Sequence, residues 1–440
     1  MSGWEPVLTG ARGDAARQAA REVGRRISDS ARVREAVHAA HSQTSFPRSA
    51  RWVPYDVAQG DAGLALAFGY LDRCFPGAGW DSVAHRSLAS AVLAADGKRL
   101  APGLFSGLAG LGFVAMALSR NRSRYRRLAA AIDVELVTDT HVLAQTVRGR
   151  TGGLAVQEFD VIAGLAGISA YLLADWTSPP RGAALKHALQ ALVDLVSDAG
   201  PSAQRWLTPP DLLFDEEVAA CYPYGNLNCG LAHGIPGPMA VMAVALSQGF
   251  PVPGLREAVE RCAAWLLSHR CDDPWGVNWP AMVRLPESDE ACDAPTRAAW
   301  CYGSPGVARA LWLAGTALDE PGLRALAIEA MQSVYRRPIP ARNVDSPTFC
   351  HGIAGLLQIT LRFHHDTRLP VFATAAADLT DQLLDAYEPD DSFLGFRAVE
   401  HDGRRVDQAG LLEGATGVGM VLLAASTAAE PSWDRLFLLS

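Results

Sequence analysis

A Gly-x-x-Gly pair followed by an apolar run occurs seven times in this chain, and no other feature of it restricts the fold so strongly. The pairs are Gly60/Gly63, Gly107/Gly110, Gly164/Gly167, Gly234/Gly237, Gly303/Gly306, Gly352/Gly355 and Gly414/Gly417, with successive pairs 47 to 70 residues apart. The runs after them, such as 111–118, 238–246 and 418–423, are rich in Ala and Leu and lack β-branched series, so they are predicted as helices. They are apolar nearly all round, the mark of a buried helix.

Between these runs lie segments with apolar residues at three- and four-residue spacing and charges opposite: 15–38, 82–95, 122–137, 181–198, 255–270, 323–336 and 370–387. They are predicted as half-exposed helices, the first long enough for two segments. Helix pairs that cannot bury their apolar faces alone must stack side by side. Seven pairs can close into a ring, buried helices inside and amphipathic helices outside, which leaves no open end to cap; an open solenoid is the alternative. The whole of 1–440 is read as a single domain. Two stretches break the rhythm: 201–228, rich in Pro and aromatics, is read as a small insertion, and 272–296 as a long loop.

Composition removes several classes. With 440 residues, 49% of them hydrophobic, the chain can bury a large core. The formal charge is −8 without a basic patch, so nucleic acid is not an expected partner. The most apolar run, near 235–246, is shorter than the ~18 residues of a membrane span. The N-terminus lacks the charged-then-apolar order of a signal peptide, and the expected location is the cytoplasm. Eight cysteines, none in Cys-x-x-Cys, are too sparse for a disulfide scaffold and are expected to be thiols.

If the turns share one end of a ring, the residues just before them converge. One position before the first glycine stand Gln59, Ser106, Ala163, His233, Tyr302, His351 and Glu413; two positions before stand Ala58, Phe105, Ile162, Ala232, Cys301, Cys350 and Leu412. Cys301, Cys350 and His351 make a Cys2His set suited to zinc, with a fourth position open as catalysis requires. Taken singly, each thiol is also read as a small buried residue; the shared register favours zinc. His233 is a fourth ligand, a proton carrier with an ordinary pKa near ~6.5, or a structural turn residue. Asp160 either orients that imidazole or caps the third buried helix. Arg297, four residues before Cys301, either holds an anion or oxyanion or forms a surface ion pair.

Gly-x-Ala-His-Gly at 230–234, Trp-Cys-Tyr-Gly at 300–303 and Cys-His-Gly at 350–352, in this order and within the sevenfold repeat, resemble the signature of the LanC-type lanthipeptide (lantibiotic) cyclases. The resemblance implies an all-α fold, an α/α toroid of seven inner and seven outer helices. It implies Cys301, Cys350 and His351 as ligands of Zn2+, His233 as the acid/base, and Asp160 and Arg297 as its assistants. Asp160 is the least secure transfer, resting on Asp-x-x-x-Gly alone. The implied reaction is Michael-type addition of peptide cysteine thiols to dehydroalanine or dehydrobutyrine, forming (methyl)lanthionine thioether rings. The implied partners are a dehydrated precursor peptide, the cognate dehydratase and an exporter. No kinase-like or dehydratase-like region precedes the repeats, which resembles the stand-alone class I enzyme. Zinc with two protein thiolates, one neutral His and the substrate thiolate carries formal charge −1, which keeps the bound sulfur electron-rich. Other readings stay open: a LanC-like enzyme adding glutathione to dehydroamino acids, or a non-catalytic peptide-binding scaffold for a dehydratase. Carbohydrate processing needs a carboxylate pair, and Glu413 is the lone glutamate in the register positions.

Overall fold

The computed structural model describes residues 3–47, 50–197, 205–213, 216–285 and 296–440. The C-terminal residue of the segment read at 181–198, positions 201–204 and 214–215 of the expected insertion, and positions 286–295 of the expected loop, Cys292 among them, lie outside the described residues. In chain order the helices are α1 (Gly10–Ile27), α2 (Ser30–Gln43), α3 (Asp61–Cys74), α4 (Trp80–Ala95), α5 (Leu108–Ala117), α6 (Arg126–Gly149), α7 (Leu165–Leu173) and α8 (Pro179–Leu195). They continue with α9 (Glu216–Cys221), α10 (Pro236–Ser247), α11 (Leu255–Ser268), α12 (Ser304–Ala317), α13 (Pro321–Arg336), α14 (Ile339–Arg342), α15 (Ile353–Thr367), α16 (Pro370–Asp385) and α17 (Ala415–Ser426). Helices α3, α5, α7, α10, α12, α15 and α17 start at the seven Gly-x-x-Gly turns and are buried for most of their length. The first amphipathic segment is two helices because Asp29 intervenes: its Oδ1 accepts from the Ala31 and Arg32 N–H groups at 2.9 and 3.3 Å and starts α2 afresh.

The described chain falls into two compact units. One comprises residues 1–100, 105–129 and 344–433; the other comprises 101–104, 130–343 and 434–440. In the first unit α3 packs on α4, α15 on α16, and α17 on α1, so the last buried helix takes its amphipathic partner from near the N-terminus. The buried helices of this unit contact one another in the order α15, α17, α3, α5. In the second unit α7 packs on α8, α10 on α11 and α12 on α13, and the buried series runs α7, α10, α12. Wherever these pairs form along the chain, a buried helix is joined to the amphipathic helix that follows it. Short turns join them, and Pro at the start of α8, α13 and α16 presets φ for the new helix.

The stretch read as an insertion carries a 3-10 turn (Pro210–Leu212), α9 and strand β1 (Asn226–Asn228). The stretch read as a loop is more regular than expected. Strands β2 (Cys271–Asp273) and β3 (Gly276–Asn278) form a tight antiparallel hairpin, and β4 (Met282–Arg284) pairs with β1. A last hairpin joins β5 (Ala398–Val399) to β6 (Arg405–Val406).

The glycines of the repeat are required by close approach. A Cβ on Gly306 would lie 2.3 Å from the Trp300 carbonyl oxygen and 2.9 Å from Leu231 Cβ. The chain thus doubles back on the carbonyl six residues earlier and presses on the neighbouring turn at the position three before that turn's first glycine. The same contacts recur at Gly167 with Val161 and Leu104, and at Gly237 with Leu231 and Val161. Main-chain hydrogen bonds link the turns as well. In the second unit Leu104 N donates to Ile162 O (3.1 Å), Val161 N to Ala232 O (3.1 Å) and Ala232 N to Cys301 O (3.4 Å). In the first unit Cys350 N donates to Leu412 O (3.0 Å), Leu411 N to Ala58 O (2.8 Å) and Val57 N to Phe105 O (2.7 Å). This backbone linkage fixes the residues that immediately precede each glycine pair.

Candidate functional site

In the second unit the turn before α7 holds Asp160, whose side chain is fully buried. Its Oδ1 accepts from the Ala163 and Gly164 N–H groups at 2.8 and 2.9 Å, satisfying donors in the turn just before α7. Its Oδ2 lies 2.7 Å from His233 Nδ1. One carboxylate oxygen therefore braces the turn just before α7 and the other faces the imidazole; Asp160 does not cap α7 itself, whose N-cap is Gly164. With Nδ1–H directed at Asp160, the Nε2 edge of the half-buried imidazole is left for other work. Burial pulls the His233 pKa down, but the Asp160 hydrogen bond and charge, with a smaller contribution from Cys301, hold it above its ordinary value.

The next turn carries Trp300, Cys301 and Tyr302. Trp300 is fully buried, donates from Nε1 to the Phe437 carbonyl at 3.0 Å and packs edge-on against the Phe437 ring. That anchor fixes the backbone from which Cys301, 6% exposed, projects. Tyr302 stands beside His233, with ring centroids 6.4 Å apart, and its hydroxyl accepts from Asn228 Nδ2 at 3.0 Å. Asn228 also takes the Gly230 N–H on Oδ1 at 2.9 Å, so it supports the His233 turn and Tyr302 at once. Arg297 heads this turn and is half-buried; its carbonyl sits where a Cβ on Gly303 would be, and Gly303 has φ 91°. Only glycine meets both demands at low cost. Asp160, His233, Arg297 and Cys301 thus all belong to this unit.

In the first unit Cys350 and His351 occupy the turn before α15, and Glu413 the turn before α17. One ligand atom from each of these three lies within 4.8 Å of the others. His351 Nδ1 is 3.3 Å from Glu413 Oε1, and the Thr348 hydroxyl is 3.5 Å from Glu413 Oε2. All three residues are half-buried. A thiol and an imidazole converging within a few ångströms are the donor types zinc prefers over the harder divalent ions, so the residues present fit that metal. Cys301 occupies in its own turn the register position that Cys350 occupies here. The sequence reading places Glu413 in the register row but gives it no role at the site, and it does not single out Asn228. Glu413 stood in the register row beside His351, and that adjacency was the available signal; nothing in the sequence marked Asn228.

A model of the lanthionine synthetase C-like proteins matches residues 51–438. The chain belongs to this family. This LanC-like protein is similar to the nisin biosynthesis protein NisC of Lactococcus lactis subsp. lactis, with 25% identity over 302 residues, 67% of this chain and 70% of that one. It is also similar in structure to nisin cyclase, with a TM-score of 0.74 at 20% identity, covering 88% of this chain and 93% of the other. That likeness gives the LanC-like chain its fold class, the all-α α/α toroid expected from the repeat. Among its described residues, no helix is long and apolar enough to cross a membrane.

Proposed function

We propose that this LanC-like protein is a zinc-dependent lanthipeptide cyclase, acting in the cytoplasm on a dehydrated precursor peptide. The cognate dehydratase and an exporter would be its further partners. The observation that carries the reading is the 2.7 Å contact of His233 with the fully buried Asp160, on the turn next to that of Cys301. A buried carboxylate on one imidazole nitrogen keeps the ring charged and aimed, which is what a proton donor requires.

In this reading Cys301, Cys350 and His351 hold zinc, which when bound stabilises a thiolate at neutral pH. The need is real, since a cysteine of pKa ~8.5 is only a few per cent ionised at pH 7, a handicap of about 2 kcal/mol. The substrate sulfur adds to the β-carbon of a dehydroalanine or dehydrobutyrine, the double-bond electrons pass to the carbonyl oxygen, and an enolate forms. His233, as imidazolium, delivers a proton to the α-carbon, and Asp160 holds the ring in place while it does so. Arg297 is assigned to the developing oxyanion. Asn228 keeps Tyr302 beside the imidazole and so shapes the proton-transfer side of the pocket.

The test measures zinc content together with alkylatable thiols in a dehydrated precursor peptide before and after incubation. Wild type should carry one zinc and consume thiols; Cys301→Ala and Cys350→Ala should lose both properties; His233→Asn should keep zinc and lose cyclisation. A metal-replete, fully active Cys350→Ala protein would overturn the assignment. Turnover of glutathione in place of peptide thiols would move the reading to intermolecular addition, and peptide binding without thiol loss would move it to a scaffold.

A further inference from the structure

Glu413 falls in the same register position as His233 and His351, one residue before its glycine pair, and the backbone carries it to His351. The Cys350 N–H donates to the Leu412 carbonyl at 3.0 Å, so the residues that follow each of them, His351 and Glu413, emerge side by side. His351 Nδ1 then lies 3.3 Å from Glu413 Oε1, and Thr348 holds Oε2 at 3.5 Å. An approach closer by about 0.4–0.6 Å gives a full charge-assisted hydrogen bond. The Glu413 side chain is only 17% exposed, so water screens its charge little.

Resting on the zinc reading above, we propose that Glu413 is a positioning residue for the metal centre. It accepts the Nδ1 proton of His351, fixes the ring as the Nδ1–H tautomer and presents Nε2 to the metal. Imidazole has two nitrogens, and a ligand that must offer one of them needs the other occupied. Glu413 is not itself the fourth ligand in this arrangement. One of its oxygens faces Nδ1 and the other the Thr348 hydroxyl, and a catalytic zinc must keep a position vacant for substrate. The negative charge also makes the imidazole a stronger donor.

The experiment is zinc affinity by chelator competition on the full chain, with X-ray absorption of the zinc-loaded protein to count sulfur and nitrogen or oxygen neighbours. Glu413→Ala should weaken zinc binding by roughly 10- to 100-fold, the usual effect of losing such a partner. Glu413→Gln keeps an acceptor oxygen of the same shape and should lose less than about tenfold, with the metal's neighbours unchanged. Because Glu413→Gln is isosteric, it also covers the case in which the alanine variant folds poorly. Glu413→Ala binding zinc within about threefold of wild type would overturn the inference. So would an oxygen neighbour that is present in wild type and missing in Glu413→Gln, which would make Glu413 a ligand. A wild-type chain that takes up no zinc would instead sink the zinc reading, and this inference with it.

Discussion

Replacing Asp160 by Asn isolates the electrostatic part of the His233 contact. The substitution keeps the shape of the side chain, and the amide oxygen can still accept from the Ala163 and Gly164 N–H groups now bound to Oδ1. The NH2 group then faces His233 Nδ1, forcing that nitrogen to become an acceptor and the ring to adopt the other neutral tautomer. A charge-assisted hydrogen bond of this kind contributes about 1.5–3 kcal/mol. With tenfold in rate for each ~1.4 kcal/mol, kcat/KM should fall by roughly 10- to 150-fold at neutral pH. The pH profile gives the sharper readout. The contributions that raise the His233 pKa come first from Asp160, while burial opposes them. Removing the carboxylate leaves burial in charge. If imidazolium is the acid, activity is lost as pH rises through the folded pKa, so the alkaline limb should move toward acid pH in the variant. The assay follows loss of peptide thiols by mass spectrometry between about pH 5.5 and 8.5. Asp160→Ala is the poorer probe, because it strands two turn N–H donors at about 1–3 kcal/mol each and confounds catalysis with folding. An Asp160→Asn protein with wild-type kcat/KM and an unmoved alkaline limb would refute the acid role of His233.

Two further outcomes concern stability. His365 stacks on Trp4 with ring centroids 3.7 Å apart, and burial, helped by His364, Arg368 and Arg362, pushes its pKa down from 6.5 to about 4. A depressed folded pKa gives stability that is complete above about pH 6.5 and lost as pH falls toward about 4. His365→Phe keeps a stacked ring without a proton site, so its Tm should decline less over that interval; equal declines would rule the linkage out. Gly306→Ala must place a methyl group 2.3 Å from the Trp300 carbonyl and should cost at least about 2–3 kcal/mol in denaturant unfolding. Gly322→Ala, in α13, meets nothing within 4 Å and should be neutral or gain up to about 1 kcal/mol. Similar losses for the two would discard the close-approach account of the repeat.

The buried helices were legible because one residue type does two jobs in each turn. Gly306 and its counterparts leave room both for the doubled-back carbonyl and for the neighbouring turn, and side-chain-free positions at fixed spacing are visible in a sequence. The partner of α17 was not legible. Nothing local to α17 says that α1, from the opposite end of the chain, covers it, since that is decided by which faces remain unburied. The hairpin of β2 and β3 was read as loop because strands of three residues are too short to show alternation. At the site, Cys301, Cys350, His351 and His233 stood out by residue type and register. Asp160 was ambiguous, because a helix cap and an imidazole partner leave the same trace in sequence. Glu413 was visible in the register row yet was weighed only as an unpaired carboxylate, since pairing with His351 depends on a backbone bond that sequence does not display.

Those backbone bonds between turns have a consequence for how such proteins diversify. Within each unit, neighbouring turns are tied through main-chain N–H and carbonyl groups, which every amino acid except proline supplies in full. The side chains just ahead of the glycines therefore hang from a frame indifferent to their identity. Each unit offers a row of interchangeable sockets, and new chemistry can be tried by refilling one while the architecture stands.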